Sequence, residues 1–209
     1  LPVDVVPPGE RRHHPGPGGP CDGRDDRLAV GAGMTYTEDW YSLENQKALA
    51  DAYEQVRDLE GDVVEVGCWE GRSTVALANA CYPQRVHAVD TWEGSPGEIS
   101  ADLAQQRDVH QTFTENMTAE TAGNVNVFRM DWRDYFTLRQ EPVKFCHIDA
   151  THTYSEVRDN IRTVLRFIVP GGVICGDDAH HPPVYKAVLD TLGLKVQLTG
   201  TNLWTWRKP

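Results

Sequence analysis

The sequence predicts an α/β protein with a doubly wound, mostly parallel seven-stranded sheet that closes in an antiparallel C-terminal hairpin. Three observations predict it. Short apolar runs alternate with helix-like segments, the runs have strand length, and the last two are joined by only Thr199-Gly200-Thr201-Asn202, too short for a crossover helix. The chain has 209 residues, 40% hydrophobic and 24% charged, which suffices for one substantial core.

Residues 1–33 contain six Pro and seven Gly, a composition with neither helical nor strand periodicity, and they are expected to form a flexible arm ahead of a domain spanning 34–209. The pair His13-His14 lies in this arm and is expected to be solvated. From about Thr35, Leu43, Leu49, Ala52, Tyr53, Val56 and Leu59 recur at helical spacing until Gly61 stops the stripe. Strands are then expected at Val63–Val66, Val86–Val89, Val125–Arg129, Lys144–Ile148 and Val173–Cys175, followed by the hairpin runs Leu194–Leu198 and Leu203–Trp206. Helices are expected near Ser73–Ala80, Val109–Met117, Ser155–Phe167 and Val184–Leu192. The poorly patterned stretch Glu93–Asp108 is expected to form part of a lid.

Lys and Arg number 20 against 31 Asp and Glu, a formal net charge of −11, so a nucleic-acid backbone would be repelled. No apolar run reaches the roughly 20 residues that cross a bilayer, and the start lacks a signal-peptide pattern, so no membrane partner and a cytoplasmic location are expected. The cysteines at 21, 68, 81, 146 and 175 form no C-x-x-C pair and are expected to be reduced thiols. Oligomeric state is left open, a homo-oligomer included.

Open α/β sheets bind ligands beyond the carboxyl ends of their strands, so the residues there carry the functional reading. After the first strand comes Glu65-Val66-Gly67-Cys68-Trp69-Glu70-Gly71-Arg72-Ser73-Thr74, where two glycines let backbone approach a ligand and Ser73 or Thr74 is placed to cap a helix. Trp69 stands where a dinucleotide fingerprint needs its second glycine, which argues against NAD or FAD. Asp90 ends the second strand, 23 residues after Gly67 (90 minus 67), where a carboxylate can take both ribose hydroxyls. Trp69, Trp92 and Trp132 each follow a different strand, which points to an apolar, stacking-capable pocket.

The set Glu65-x-Gly67-x-x-x-Gly71 with Asp90 and Asp131 resembles the class I S-adenosylmethionine-dependent methyltransferases over residues 61–206. The resemblance implies a Rossmann-like methyltransferase fold with S-adenosylmethionine as cofactor. It places the glycine turn against the methionine moiety, Asp90 on the ribose, and Asp131 and Trp132 beside the adenine. The expected cofactor-binding residues are therefore Glu65, Gly67, Cys68, Gly71, Ser73, Asp90, Trp92, Asp131 and Trp132.

Asp149, Asp177 and Asp178 end neighbouring strands, and three acids crowded there would repel one another unless a cation neutralised them or some took up protons, a hard divalent ion being the simplest resolution. All-oxygen ligation suits Mg²⁺, Mn²⁺ or Ca²⁺. The same three positions resemble the magnesium-binding acids of catechol-type, caffeoyl-type and macrolide-sugar O-methyltransferases, although the catechol type often carries Asn where Asp178 stands. The expected activity is metal-assisted methyl transfer to a hydroxyl of a small molecule, a sugar or natural product. His152 lies three residues beyond Asp149, the offset at which catechol-type enzymes carry a lysine base, and is expected to act as a neutral general base alongside Asp149. Three rivals were weighed: a metal-independent N- or C-methyltransferase, a nucleoside-binding non-catalytic partner subunit, and an iron site built from His147, Asp149 and a further histidine (His152, His180 or His181).

Overall fold

A computed structural model describes Asp4–Val5 and residues 36–209. Apart from Asp4–Val5, the expected N-terminal arm, with His13-His14, lies outside the described residues. Eight strands form one sheet: β1 (Asp4–Val5), β2 (Asp62–Val66), β3 (Val86–Asp90), β4 (Val125–Arg129), β5 (Val143–Ile148), β6 (Ile168–Gly176), β7 (Gln197–Thr199) and β8 (Leu203–Arg207). Their order is β1-β4-β3-β2-β5-β6-β8-β7. The central five strands run parallel, β8 and β7 close the sheet as the expected antiparallel hairpin, and β1 adds an antiparallel edge to β4.

Seven α-helices connect the strands: α1 (Leu43–Glu54), α2 (Arg72–Cys81), α3 (Ile99–Gln106), α4 (Val109–Glu120), α5 (Trp132–Leu138), α6 (Tyr154–Val164) and α7 (Pro182–Leu192). Strand side chains alternate between two core layers, so Val63 and Phe145 pack with Leu49, Leu77 and Phe113, while Val64 and Cys146 pack with Phe136, Ile161 and Val188. Every residue of β5 is buried, Lys144 and His147 included. No helix among the described residues is long and apolar enough to cross a membrane.

The structure departs from expectation at several points. Helices α3 and α5 were not expected. Helix α3 buries none of its residues, so it has no apolar stripe to read, and α5 is too short to show a period. Leu43 opens α1 but is 80% exposed, outside the buried stripe. Helix α6 ends at Val164, and β7 is shorter than Leu194–Leu198 because residues 193–195 form a 3₁₀ turn. Neither Ser73 nor Thr74 caps α2; the N-cap is Gly71 in the left-handed region at φ 90°, with both hydroxyl residues buried inside the helix.

Candidate active site

The strand ends and the loops beyond them enclose a cavity of about 1310 Å³, lined among others by Gly67, Trp69, Asp90, Asp149, His152 and Asp178. Two features bring these residues together. Parallel β2, β3, β5 and β6 end at one edge, and Gly67 lets the turn after β2 press against the backbone after β5. Asp131 and Trp132, just beyond β4, line the same space.

Asp90 organises one end. Its Oδ2 accepts from the backbone amides of Cys68 (2.7 Å) and Trp69 (3.0 Å), and its Oδ1 accepts from the amide of Trp92 (2.8 Å). Trp69 (φ 49°) and Trp92 (φ 58°) both hold left-handed backbone, which costs a bulky residue conformational energy. The three charge-assisted bonds offset that strain and fix the turn. Trp40, which the sequence reading missed, also faces the cavity and stacks on Trp69 at 5.4 Å between ring centroids. Its segment is strapped down by Glu70, which accepts from the Thr37 amide (2.8 Å) and hydroxyl (2.6 Å) and pairs with Arg107.

The acids lie at the other end. Register pairs Ile148 with Gly176, so Asp149 and the Asp177-Asp178 pair leave the sheet at one level. Among the described residues, Asp149, His152 and Asp178 form a cluster whose ligand atoms lie within 4.8 Å of one another. Asp178 sits in the left-handed region at φ 59°. Asp177 lines the cavity but is not in that cluster, and Asn45 of α1 donates to its Oδ1 at 3.1 Å. Burial, with Asp149 close by, pushes its pKa up to about 7.

His152 stands among three carboxylates. Nδ1 lies 2.9 Å from Glu98 Oε2, Nε2 lies 2.7 Å from Asp178 Oδ2, and Asp149 Oδ1 is 3.9 Å away. Burial opposes a charge on the ring, but the surrounding carboxylates more than offset it and push the pKa up to about 12. The three acids thus favour the protonated form of a ring that was expected to be neutral. Nor does it cap α6, whose N-cap is Thr153.

Several expected site residues lie behind the wall. Glu65 is fully buried and accepts from His147 Nδ1 at 3.0 Å, so His147 is turned into the core, its pKa raised by that partner against the cost of burial. That placement separates His147 from Asp149 and leaves the iron-site rival with one histidine in the cluster, while His180 and His181 line the cavity rim. The Trp92 ring packs on His110 and Phe113, and its Nε1 donates to the Trp69 carbonyl. Cys68 and Ser73 are buried, and Gly71 makes room for Met117 and Phe113. None of Glu65, Cys68, Gly71, Ser73 and Trp92 lines the cavity; they shape it from beneath.

The sequence model of a methyltransferase-domain family matches residues 64–179, more than half of the chain, and spans both ends of the site. The chain belongs to this methyltransferase family. No curated protein sequence matches it. Among solved structures, the methyltransferase is similar to the O-methyltransferase NovP (16% identity, 80% of each chain, TM-score 0.62). It is also similar to the calicheamicin methyltransferase CalS11 (17%, 80% of each chain, 0.61). A third is an O-methyltransferase from Bacillus cereus solved with S-adenosylhomocysteine (19%, 80% of this chain and 82% of that one, 0.54). These likenesses show the class I fold. The match makes the methyltransferase an S-adenosylmethionine-dependent enzyme.

Proposed function

We propose that this methyltransferase transfers a methyl group from S-adenosylmethionine to a hydroxyl of a small molecule, with a divalent cation held at the Asp149 end of the cavity. The observation that carries the reading is one continuous cavity with Asp90 at one end and Asp149 and Asp178 at the other. The similarity to the O-methyltransferase NovP and to the calicheamicin methyltransferase CalS11 lends support.

The residues fit both groups. A carboxylate offers about four acceptor sites, and backbone amides take three of those on Asp90, so one remains for a ribose hydroxyl. Trp69, Trp40 and Trp132 give apolar walls for adenine and acceptor rings. A bound cation would supply orientation and a lowered hydroxyl pKa. The acceptor oxygen attacks the sulfonium methyl, the C–S bond breaks as the C–O bond forms, and the hydroxyl proton passes to a carboxylate of this acidic end. The test is an acceptor panel of sugars and vicinal diols incubated with S-adenosylmethionine and Mg²⁺ or Mn²⁺, with and without EDTA. Methylated oxygen in the product, lost on chelation, is the expected result; methylation at nitrogen or carbon, or insensitivity to EDTA, would refute it.

A further inference from the structure

We infer that the cation site of this chain is a mixed centre of one nitrogen and two carboxylates, Asp149, His152 and Asp178, with Glu98 as the residue that aims the histidine. The inference rests on the proposed cation and names its ligands and preference.

Three observations carry it. The ligand atoms of these residues already lie within 4.8 Å of one another, whereas Asp177 is held aside by Asn45. Ligands about 2.1 Å from an ion stand at most about 4.2 Å apart, so closing the set needs only small side-chain movement. His152 Nε2 is buried and points between the two acids, 2.7 Å from Asp178 Oδ2 and 3.9 Å from Asp149 Oδ1, so the ring proton stands where an ion shared by all three would lie. The other nitrogen is committed: Nδ1 faces Glu98 Oε2 at 2.9 Å, and the His152 amide donates to Glu98 Oε1 at 3.0 Å.

Glu98 is the N-cap residue of α3, yet its side chain makes no capping bond to its own helix and reaches to His152 instead. A carboxylate on the far nitrogen of a ligating histidine fixes ring orientation and tautomer, leaving the near nitrogen for the ion. Ligation would need the neutral ring, so the Nε2 proton of His152 would pass to solvent as an ion bound. Thr151 Oγ1 donates to Ser95 Oγ at 3.3 Å and ties the same two loops together, so the segment carrying Glu98 is held beside the cluster. Imidazole in the ligand set shifts preference from Mg²⁺ and Ca²⁺ toward first-row transition ions such as Mn²⁺ and Co²⁺.

The test is electron spin-echo spectroscopy of the full chain loaded with Mn²⁺ alone, read for ¹⁴N modulation, with Mn²⁺ and Mg²⁺ affinities measured by calorimetry. The wild type should show imidazole nitrogen coupled to the ion. The variant His152→Gln should lose that coupling and reduce the preference for Mn²⁺ over Mg²⁺ by tenfold or more. Glu98→Gln should keep the coupling and weaken Mn²⁺ binding about 10- to 100-fold. Bound Mn²⁺ without nitrogen coupling in the wild type would overturn the inference while leaving the proposed cation intact. Absence of Mn²⁺ binding, together with EDTA-resistant methyl transfer, would overturn both. An unchanged Mn²⁺ affinity in Glu98→Gln would remove the aiming role.

Discussion

Gly67 and the backbone of Asp149 are in direct apposition: a Cβ at position 67 would lie 1.8 Å from the Asp149 carbonyl oxygen. This contact joins the turn beside Asp90 to the strand end that carries the acids, so the two ends of the cavity share one hinge of backbone. Gly67 also holds φ 82°, a conformation that disfavours any side chain. Gly67→Ala is expected to cost about 3 kcal/mol or more of stability. Urea denaturation checks this, and a loss below about 1 kcal/mol would show that the two strand ends are not so closely locked.

Asp90 both pins the turn and lines the cavity in which we propose that the cofactor binds, so Asp90→Ala should lower S-adenosylmethionine affinity by tenfold or more and also lower the melting temperature. Calorimetry and thermal melting measure the two effects separately. Unchanged affinity in a folded variant would end the ribose assignment.

Asn45 is buried, donates to Asp177 Oδ1 and Asn202 Oδ1, and accepts from the Thr201 amide at 2.9 Å. It thus ties α1 to the acidic end and to the β7–β8 turn. Removing it leaves buried polar partners unmatched, so Asn45→Ala should cost about 1–3 kcal/mol. Chemical denaturation showing a loss under about 0.5 kcal/mol would contradict that role.

The half-buried imidazole of His87 contacts the Tyr135 hydroxyl at 2.7 Å. Burial lowers its pKa, Asp62 partly opposes this, and Arg139 adds to the lowering. The unfolded chain therefore takes up a proton, below about pH 6.5, that the folded chain refuses until lower pH. The wild type should lose stability relative to His87→Gln as pH falls from 7 to 5. Parallel stability profiles for the two proteins would show that His87 does not titrate in this way.

How much of the site was legible in the sequence follows from what each signal depends on. Asp90, Asp149 and Asp178 were legible because strand periodicity alone says which residues leave the sheet at its carboxyl edge. Glu65 and Trp92 were placed in the site by the same logic, but alternation turns Glu65 under the turn toward His147, and the left-handed backbone at Trp92 directs its ring onto Phe113. Glu98 and Asn45 carried no local signal, since their partners lie 54 and 132 residues away. The acids around His152 likewise come from three loops, and only their convergence sets its charge.

The most direct test of the account compares cofactor binding with methyl transfer in Asp149→Ala. With S-adenosylmethionine proposed at the Asp90 end and acceptor activation at the Asp149 end, cofactor affinity should stay within a few-fold of wild type while transfer to a hydroxyl acceptor is lost. Near wild-type transfer by Asp149→Ala would contradict it.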